Sequence, residues 1–295
     1  MKHPDTGEFT AKINGLELWY KVSGSGPVCI FPTPGWGPSS DLYFLTLCRL
    51  ERFFTIVYLD TRGSGRSERP PNATDYKYDQ FSADLDALRA HLRQERVWII
   101  GHSMGGWLAM HYAIAYPDRC CGLVLLDSVV AQDAEWRKDV AARQMKRRNE
   151  SWYEEATRAT SDPRAKEDEK VFCAALHSTL RFAFHNAANF KKLEAMDKSF
   201  SLPAFKGMAA SNKGGAHLLP LAKIKVPTLI VAGASDDRAS PLQAERIYLG
   251  ISGSKLIIIE KAGHFPWLEQ PDRFFAAVES GLAALGLAPV APAEK

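Results

Sequence analysis

The chain has 295 residues, of which 46% are hydrophobic and 24% charged, with a formal net charge of +3. That balance gives a globular chain an ample core and is too mildly positive to mark a nucleic-acid binder. Five cysteines (Cys29, Cys48, Cys120, Cys121, Cys173), odd in number and without Cys-x-x-Cys spacing, read as free thiols of a reducing compartment. The densest basic group, Arg143 to Arg148, shares its helical segment with Asp139 and Glu150 and reads as a solvated helix face. The polar start, Met1-Lys2-His3-Pro4-Asp5, lacks the apolar core of a signal peptide, and no apolar run nears the length of a bilayer span. A cytoplasmic protein with neither a membrane nor a nucleic-acid partner is expected.

In chain order, Phe9 to Ile13 and Leu16 to Val22 alternate as strands around Asn14-Gly15, a strong two-residue hairpin signal. Val28 to Phe31 is a short apolar run, expected as a buried strand. It enters Pro32-Thr33-Pro34-Gly35-Trp36-Gly37-Pro38, too rich in proline and glycine for regular structure. A helix should follow, with Ser39, Ser40 and Asp41 as candidate caps and Leu42, Leu45, Leu47 and Leu50 among its apolar positions. The strand Phe54 to Leu59 ends in a glycine-punctuated loop, and Ser82 to Gln94 puts Leu85, Leu88 and Leu92 on one helical face.

The apolar run Val97 to Ile100 then stops at Gly101-His102-Ser103-Met104-Gly105, and a helical segment, Met104 to Tyr116, begins at once. Another strand, Leu123 to Leu126, ends in Asp127-Ser128. Strands this apolar, alternating with helices, predict a parallel α/β sheet covered on both faces. From Gln132 to His217 the periodicity turns helical, charges are many and no strand pattern appears. Most of its aromatics (among them Trp136, Trp152, Tyr153 and Phe182) should pack its own core and a minority should line a pocket beneath. Strands resume at Pro227 to Ala232 and Lys255 to Ile259, separated by a helix from Pro241 to Leu249 with Ser240 as its N-cap. A last helix runs from Pro271 to Leu285. The expected division is a core over residues 1–131 and 219–287, a helical cap over 132–218, and a flexible tail over 288–295.

Gly-x-Ser-x-Gly between a buried strand and a helix is the nucleophile elbow. Small residues at Gly101 and Gly105 leave room for a sharp turn that lifts the Ser103 hydroxyl to the edge of the sheet. A serine at its free pKa is a poor nucleophile and needs a base, itself held by an orienting group. His264, after the Lys255 to Ile259 strand, is placed as the base. Two adjacent aspartates, Asp236 and Asp237, end the preceding strand; Asp236 is favoured as the orienter. For the oxyanion, Met104 N–H at a helix N-terminus is one donor. Thr33 N–H is the choice for the second, with Gly35 and Trp36 as alternatives, since Pro32 and Pro34 have no N–H. Trp36 and His102 are candidate substrate contacts.

Nearly the whole chain resembles the α/β-hydrolase superfamily, with the order Ser, Asp, His of that superfamily. Within it, Asp60-Thr61-Arg62-Gly63-Ser64-Gly65-Arg66-Ser67 resembles the D-x-R-G-x-G-x-S loop of the proline iminopeptidase-like branch. Phe31-Pro32-Thr33-Pro34-Gly35 departs from that branch's H-G-G-P-G. The resemblance implies cap carboxylates that receive a substrate's amino terminus, for which Glu150, Glu154 and Glu155 stand in the right segment. It also implies a serine hydrolase without metal or cofactor, acting on an ester or amide of a small molecule or short peptide through an acyl-enzyme. A C–C bond or lactone hydrolase, a ligand receptor on the same fold, and a biosynthetic cyclase are the alternatives.

Overall fold

The computed structural model describes residues 3–193, 200–211 and 218–290; the expected end of the helical stretch at His217 and the tail residues 291–295 lie outside them. In chain order the elements are β1 (Gly7–Ile13), β2 (Leu16–Gly24), β3 (Val28–Pro32), α1 (Asp41–Thr46), β4 (Thr55–Leu59), α2 (Tyr78–His91), β5 (Val97–His102), α3 (Met104–Ala115) and β6 (Cys120–Leu126). Then come α4 (Ala134–Met145), α5 (Tyr153–Thr160), α6 (Glu169–Thr179), α7 (Leu202–Ser211), β7 (Thr228–Gly233), α8 (Ser240–Gly250), β8 (Lys255–Ile259), α9 (Pro266–Glu269) and α10 (Pro271–Ala283). Among the described residues, eight strands form one sheet in the order β1-β2-β4-β3-β5-β6-β7-β8. The β1–β2 hairpin is antiparallel to its neighbours, and β3 to β8 run parallel. The hairpin turns on Asn14 (φ 47°) and Gly15 (φ 87°), the left-handed pair that a two-residue turn demands.

Alternate strand residues feed two cores. Ile30, Val57, Ile99 and Leu123 meet Leu85 and Leu88 of α2, Leu108 of α3 and Ile247 of α8 on one face. Phe31, Ile56, Ile100 and Val124 meet Tyr43 of α1 and Phe274 and Val278 of α10 on the other. Each such aliphatic or aromatic side chain, fully buried, contributes about 1.5–3 kcal/mol. The segment between β6 and β7 carries α4 to α7 and, among the described residues, no strand.

Several expectations shift in detail. The helix after Ser40 ends at Thr46 and gives way to a 3-10 turn over Cys48–Arg52, leaving Leu45 exposed. The next helix, α2, starts a turn earlier than expected, so Tyr78 and Phe81 join its buried face. At the sheet edge β8 is only partly covered, against the expectation of full burial. Ser240 does not cap α8: it lies inside the helix boundary at φ 58°, and its buried hydroxyl has no partner among the described residues. The N–H groups of Arg238 and Ala239 go instead to Asp236 Oδ1, at 2.7 and 3.0 Å.

Candidate active site

The central strand β5 delivers the chain to Ser103, whose backbone (φ 57°, ψ −125°) lies where L-residues rarely go. Such a conformation costs about 1–3 kcal/mol and persists only when its surroundings enforce it. Here Ser103 N–H donates to Leu126 C=O (3.0 Å), and Ser103 C=O accepts from both Gly106 N–H and Val129 N–H (3.1 Å each). A Cβ added at Gly101 would stand 2.5 Å from the Gly105 carbonyl oxygen, so glycine is required there by backbone that cannot move aside. At Gly105 the nearest atom to an added Cβ would be Pro32 O at 3.3 Å; the second crowded position is Gly106, which backs onto Ser128. The space for the turn therefore comes from Gly101 and Gly106 more than from the expected pair.

His264 is buried, and its N–H donates to Ala183 C=O (2.7 Å) in the helical segment. Its Nδ1 lies 2.7 Å from Asp236 Oδ2. Asp236 spends its other oxygen on the two loop N–H groups described above, so its carboxylate is held at both ends. Asp237 faces away from this histidine: Arg147 Nε donates to its Oδ2 (2.9 Å), and Gln144 Nε2 to its carbonyl (3.1 Å). Burial raises the Asp237 carboxyl above its ordinary pKa, and the Arg147 guanidinium pulls it back. One aspartate addresses the histidine and its neighbour fastens α4 to the loop.

A third carboxyl, Asp127 at the end of β6, is 1% exposed. Gly233 N–H donates to its Oδ1 (2.8 Å), while Oδ2 has no partner among the described residues. Donor atoms of Asp127, Asp236 and His264 lie within 4.8 Å of one another. The 2.7 Å between His264 and Asp236 is a hydrogen-bond length. Two ligands of one zinc ion, each about 2.0–2.1 Å from it in a tetrahedral site, would stand about 3.3 Å apart. Burial first, and the nearby Asp236 charge second, push the Asp127 carboxyl well above the usual carboxylate range. A raised folded-state pKa means stability that is complete below the unfolded value, about 3.9, and is lost as pH rises toward the folded one. Asp127→Asn, which mimics the protonated acid, is therefore expected to melt higher than the wild type at neutral pH. The gap should close below about pH 4, and thermal melts across pH check it; a gap independent of pH would contradict the raised carboxyl pKa.

His102 is also buried. Its Nε2 lies 3.0 Å from His264 C=O, which can only accept, so Nε2 carries the proton and Nδ1 accepts from Tyr43 O–H (3.1 Å). Burial, with the nearby His264 adding to it, holds the His102 pKa well below the ordinary histidine value. Both ring nitrogens are thus engaged within the protein, and His102 lines a cavity together with Ser103 and His264. Thr33 is displaced from its expected role. Strand β3 runs one residue further than expected, to Pro32, so Thr33 N–H continues the sheet by donating to Leu59 C=O (2.9 Å). Thr33 Oγ1 pairs with Thr61 Oγ1 (2.7 Å), and the residue is wholly buried. Neither its N–H nor its hydroxyl is available to an oxyanion. Met104 opens α3, where an N–H has no intrahelical acceptor.

Ser103, Met104, His264 and Trp36 line one cavity of about 500 Å³, walled further by Trp136, Leu176, Phe182, Phe205 and Met208 and by polar Gln132, Gln144, Thr179 and Arg238. Among the described residues none of its lining is a carboxylate. Glu150 and Glu155 line a separate surface groove, Glu155 beside Arg181 (3.5 Å), and Glu154 is exposed. A second cavity of about 90 Å³ also meets Ser103 and His264, between Leu42, Leu180 and Phe200. The Asp60–Ser67 loop stays out of both and braces them. Asp60 Oδ1 accepts from Ser40 N–H and Oγ (2.6 Å each), its Oδ2 accepts from Arg66 N–H (2.9 Å), and Arg62 grips Asp84 with two hydrogen bonds in the core. Gly65 N–H donates to Gly37 C=O (2.8 Å), which ties this loop to the one that carries Trp36.

A nucleophile elbow on the central strand, with a histidine and an aspartate delivered by β8 and β7, defines a hydrolase of the α/β class. The family described as alpha/beta hydrolase fold matches residues 30–271, and the chain belongs to it. The proline iminopeptidase of Saccharolobus solfataricus is 26% identical over 281 residues, covering 91% of this chain and 89% of that one. An esterase of Exiguobacterium antarcticum superposes with a TM-score of 0.69 at 22% identity, over 93% of this chain and 98% of that one. An N-acyl homoserine lactone degrading enzyme does so with a TM-score of 0.69, also at 22% identity, over 92% and 99%. Among the described residues no helix is long and apolar enough to cross a membrane, and the five cysteines are free.

Proposed function

We propose that the protein is a serine hydrolase that cleaves esters of small molecules through an acyl-enzyme in a reducing compartment, with residues 132–218 acting as a cap over the site. The observation that carries this is the meeting of Ser103 and His264 at one cavity, with Asp236 holding His264 Nδ1 at 2.7 Å. Ser103 Oγ attacks the carbonyl carbon while His264 Nε2 takes its proton, and Asp236 keeps the imidazole in the tautomer that leaves Nε2 free. The oxyanion receives Met104 N–H and, in place of Thr33, the N–H of Trp36. The alcohol leaves with the proton from His264; water then gives a proton to His264 and attacks the acyl carbon, and the acid is released as His264 returns that proton to Ser103 Oγ. Ser103 Oγ makes no hydrogen bond among the described residues, so its hydrogen bond to His264 Nε2 forms as substrate enters the cavity they share.

Esters are favoured over N-terminal prolyl amides, because recognition of an amino terminus calls for a carboxylate and the cavity lining has none among the described residues. A panel of p-nitrophenyl alkanoates and prolyl p-nitroanilides separates the readings. Many turnovers on the esters with little on the prolyl amides is the expected result. Faster cleavage of the prolyl amides would move the protein to the peptidase side. Stoichiometric capture without turnover would make it a receptor.

A further inference from the structure

Arg238 stands where the two cavities meet the reacting residues, lining both together with Ser103 and His264. Its Nη1 donates to Thr179 Oγ1 (3.0 Å) and more loosely to Thr179 C=O (3.4 Å), and its backbone N–H caps Asp236. Among the described residues no carboxylate lies in ion-pair contact with the guanidinium, and no hydrogen bond leaves its Nε or Nη2. The nearby Asp236 carboxylate is already satisfied by His264 and two N–H groups. The side chain is half-buried, and desolvation lowers the Arg238 pKa from its ordinary value against the opposing pull of the nearby Asp236 charge. A guanidinium in a largely apolar cavity, with a planar fork of donors left over, is built to receive a carboxylate.

We infer that the natural substrate is an ester carrying a carboxylate close to its scissile bond, and that Arg238 binds that carboxylate. This rests on the serine hydrolase reading above and narrows it to anionic esters. Ester hydrolysis itself proceeds unchanged: the anionic group neither gains nor loses a bond, and Arg238 selects and orients.

Two matched pairs test the idea on the full chain: monoethyl succinate against ethyl pentanoate for a carboxylate on the acyl side, and carboxymethyl butanoate against propyl butanoate for the alcohol side. In at least one pair the wild type should favour the anionic member by about 10- to 100-fold in kcat/KM, mostly through KM. In Arg238→Met that preference should collapse toward parity, and Arg238→Lys should restore part of it. No preference in either pair, or a preference that survives Arg238→Met, overturns the inference. So does an equal loss on both members, the sign of a purely structural arginine. A binding arm stands apart from turnover: monoethyl succinate or carboxymethyl butanoate should raise the melting temperature of Ser103→Ala, and neither should raise that of Ser103→Ala combined with Arg238→Met. If no ester is hydrolysed, the serine hydrolase reading fails while this arm still decides the fate of the carboxylate site.

Discussion

Alanine at position 103 is expected to lower kcat on the best ester by about 10⁴- to 10⁶-fold, the range seen when the nucleophile of a serine triad is removed. The fold should survive. Ser103 Oγ makes no hydrogen bond among the described residues, and the turn is held by the backbone bonds to Leu126, Gly106 and Val129, none of which needs the hydroxyl. Alanine also tolerates a positive φ no worse than serine, so stability should stay within about 0.5 kcal/mol. Kinetics and a thermal melt on the same preparation check both halves. Unchanged turnover would remove Ser103 from the chemistry, and a large drop in melting temperature would show that the hydroxyl holds the elbow.

Asp236→Asn should cost about 10⁴ in kcat, because an amide can donate to His264 Nδ1 and so favours the tautomer that leaves the proton on Nε2. The asparagine oxygen can still accept from the N–H groups of Arg238 and Ala239, so the loop should keep its shape. Asp237→Asn is the matched control. It breaks the ion pair with Arg147, and its larger effect should fall on thermal stability, since an uncompensated guanidinium is left against the loop. Steady-state kinetics with melts on both variants separate the two roles, and a greater kinetic loss in Asp237→Asn would reverse the assignment.

Much of this arrangement was legible in the chain. Gly101 to Gly105 sits between an apolar run and a helical one, and the later strands end in Asp236-Asp237 and Gly263-His264, which narrows the partners of Ser103. Between the adjacent aspartates the sequence favours Asp236 only weakly, since one residue of register decides which faces His264 and which faces Arg147. Thr33 turns on register in the same way: β3 continues by one residue and takes its N–H into the sheet. His102 reads as a site residue by adjacency, and it lines the second cavity while its ring nitrogens are taken by Tyr43 and the His264 carbonyl. Asp127 and Arg238 carried weak signals. The first closes a strand beside the elbow, as Asp236 closes the next one, and that parallel could have flagged it. The second matters only because no described acidic side chain contacts it, which is a property of the folded neighbourhood.

The covalent step can be caught directly. Wild-type protein treated with a fluorophosphonate, digested and mapped by mass spectrometry should carry one adduct, on the peptide holding Ser103, with activity lost in proportion to labelling. Asp236→Asn should label far more slowly, because its histidine no longer activates the hydroxyl. An adduct on another residue, or complete labelling of Ser103 that leaves ester turnover intact, would contradict the acyl-enzyme.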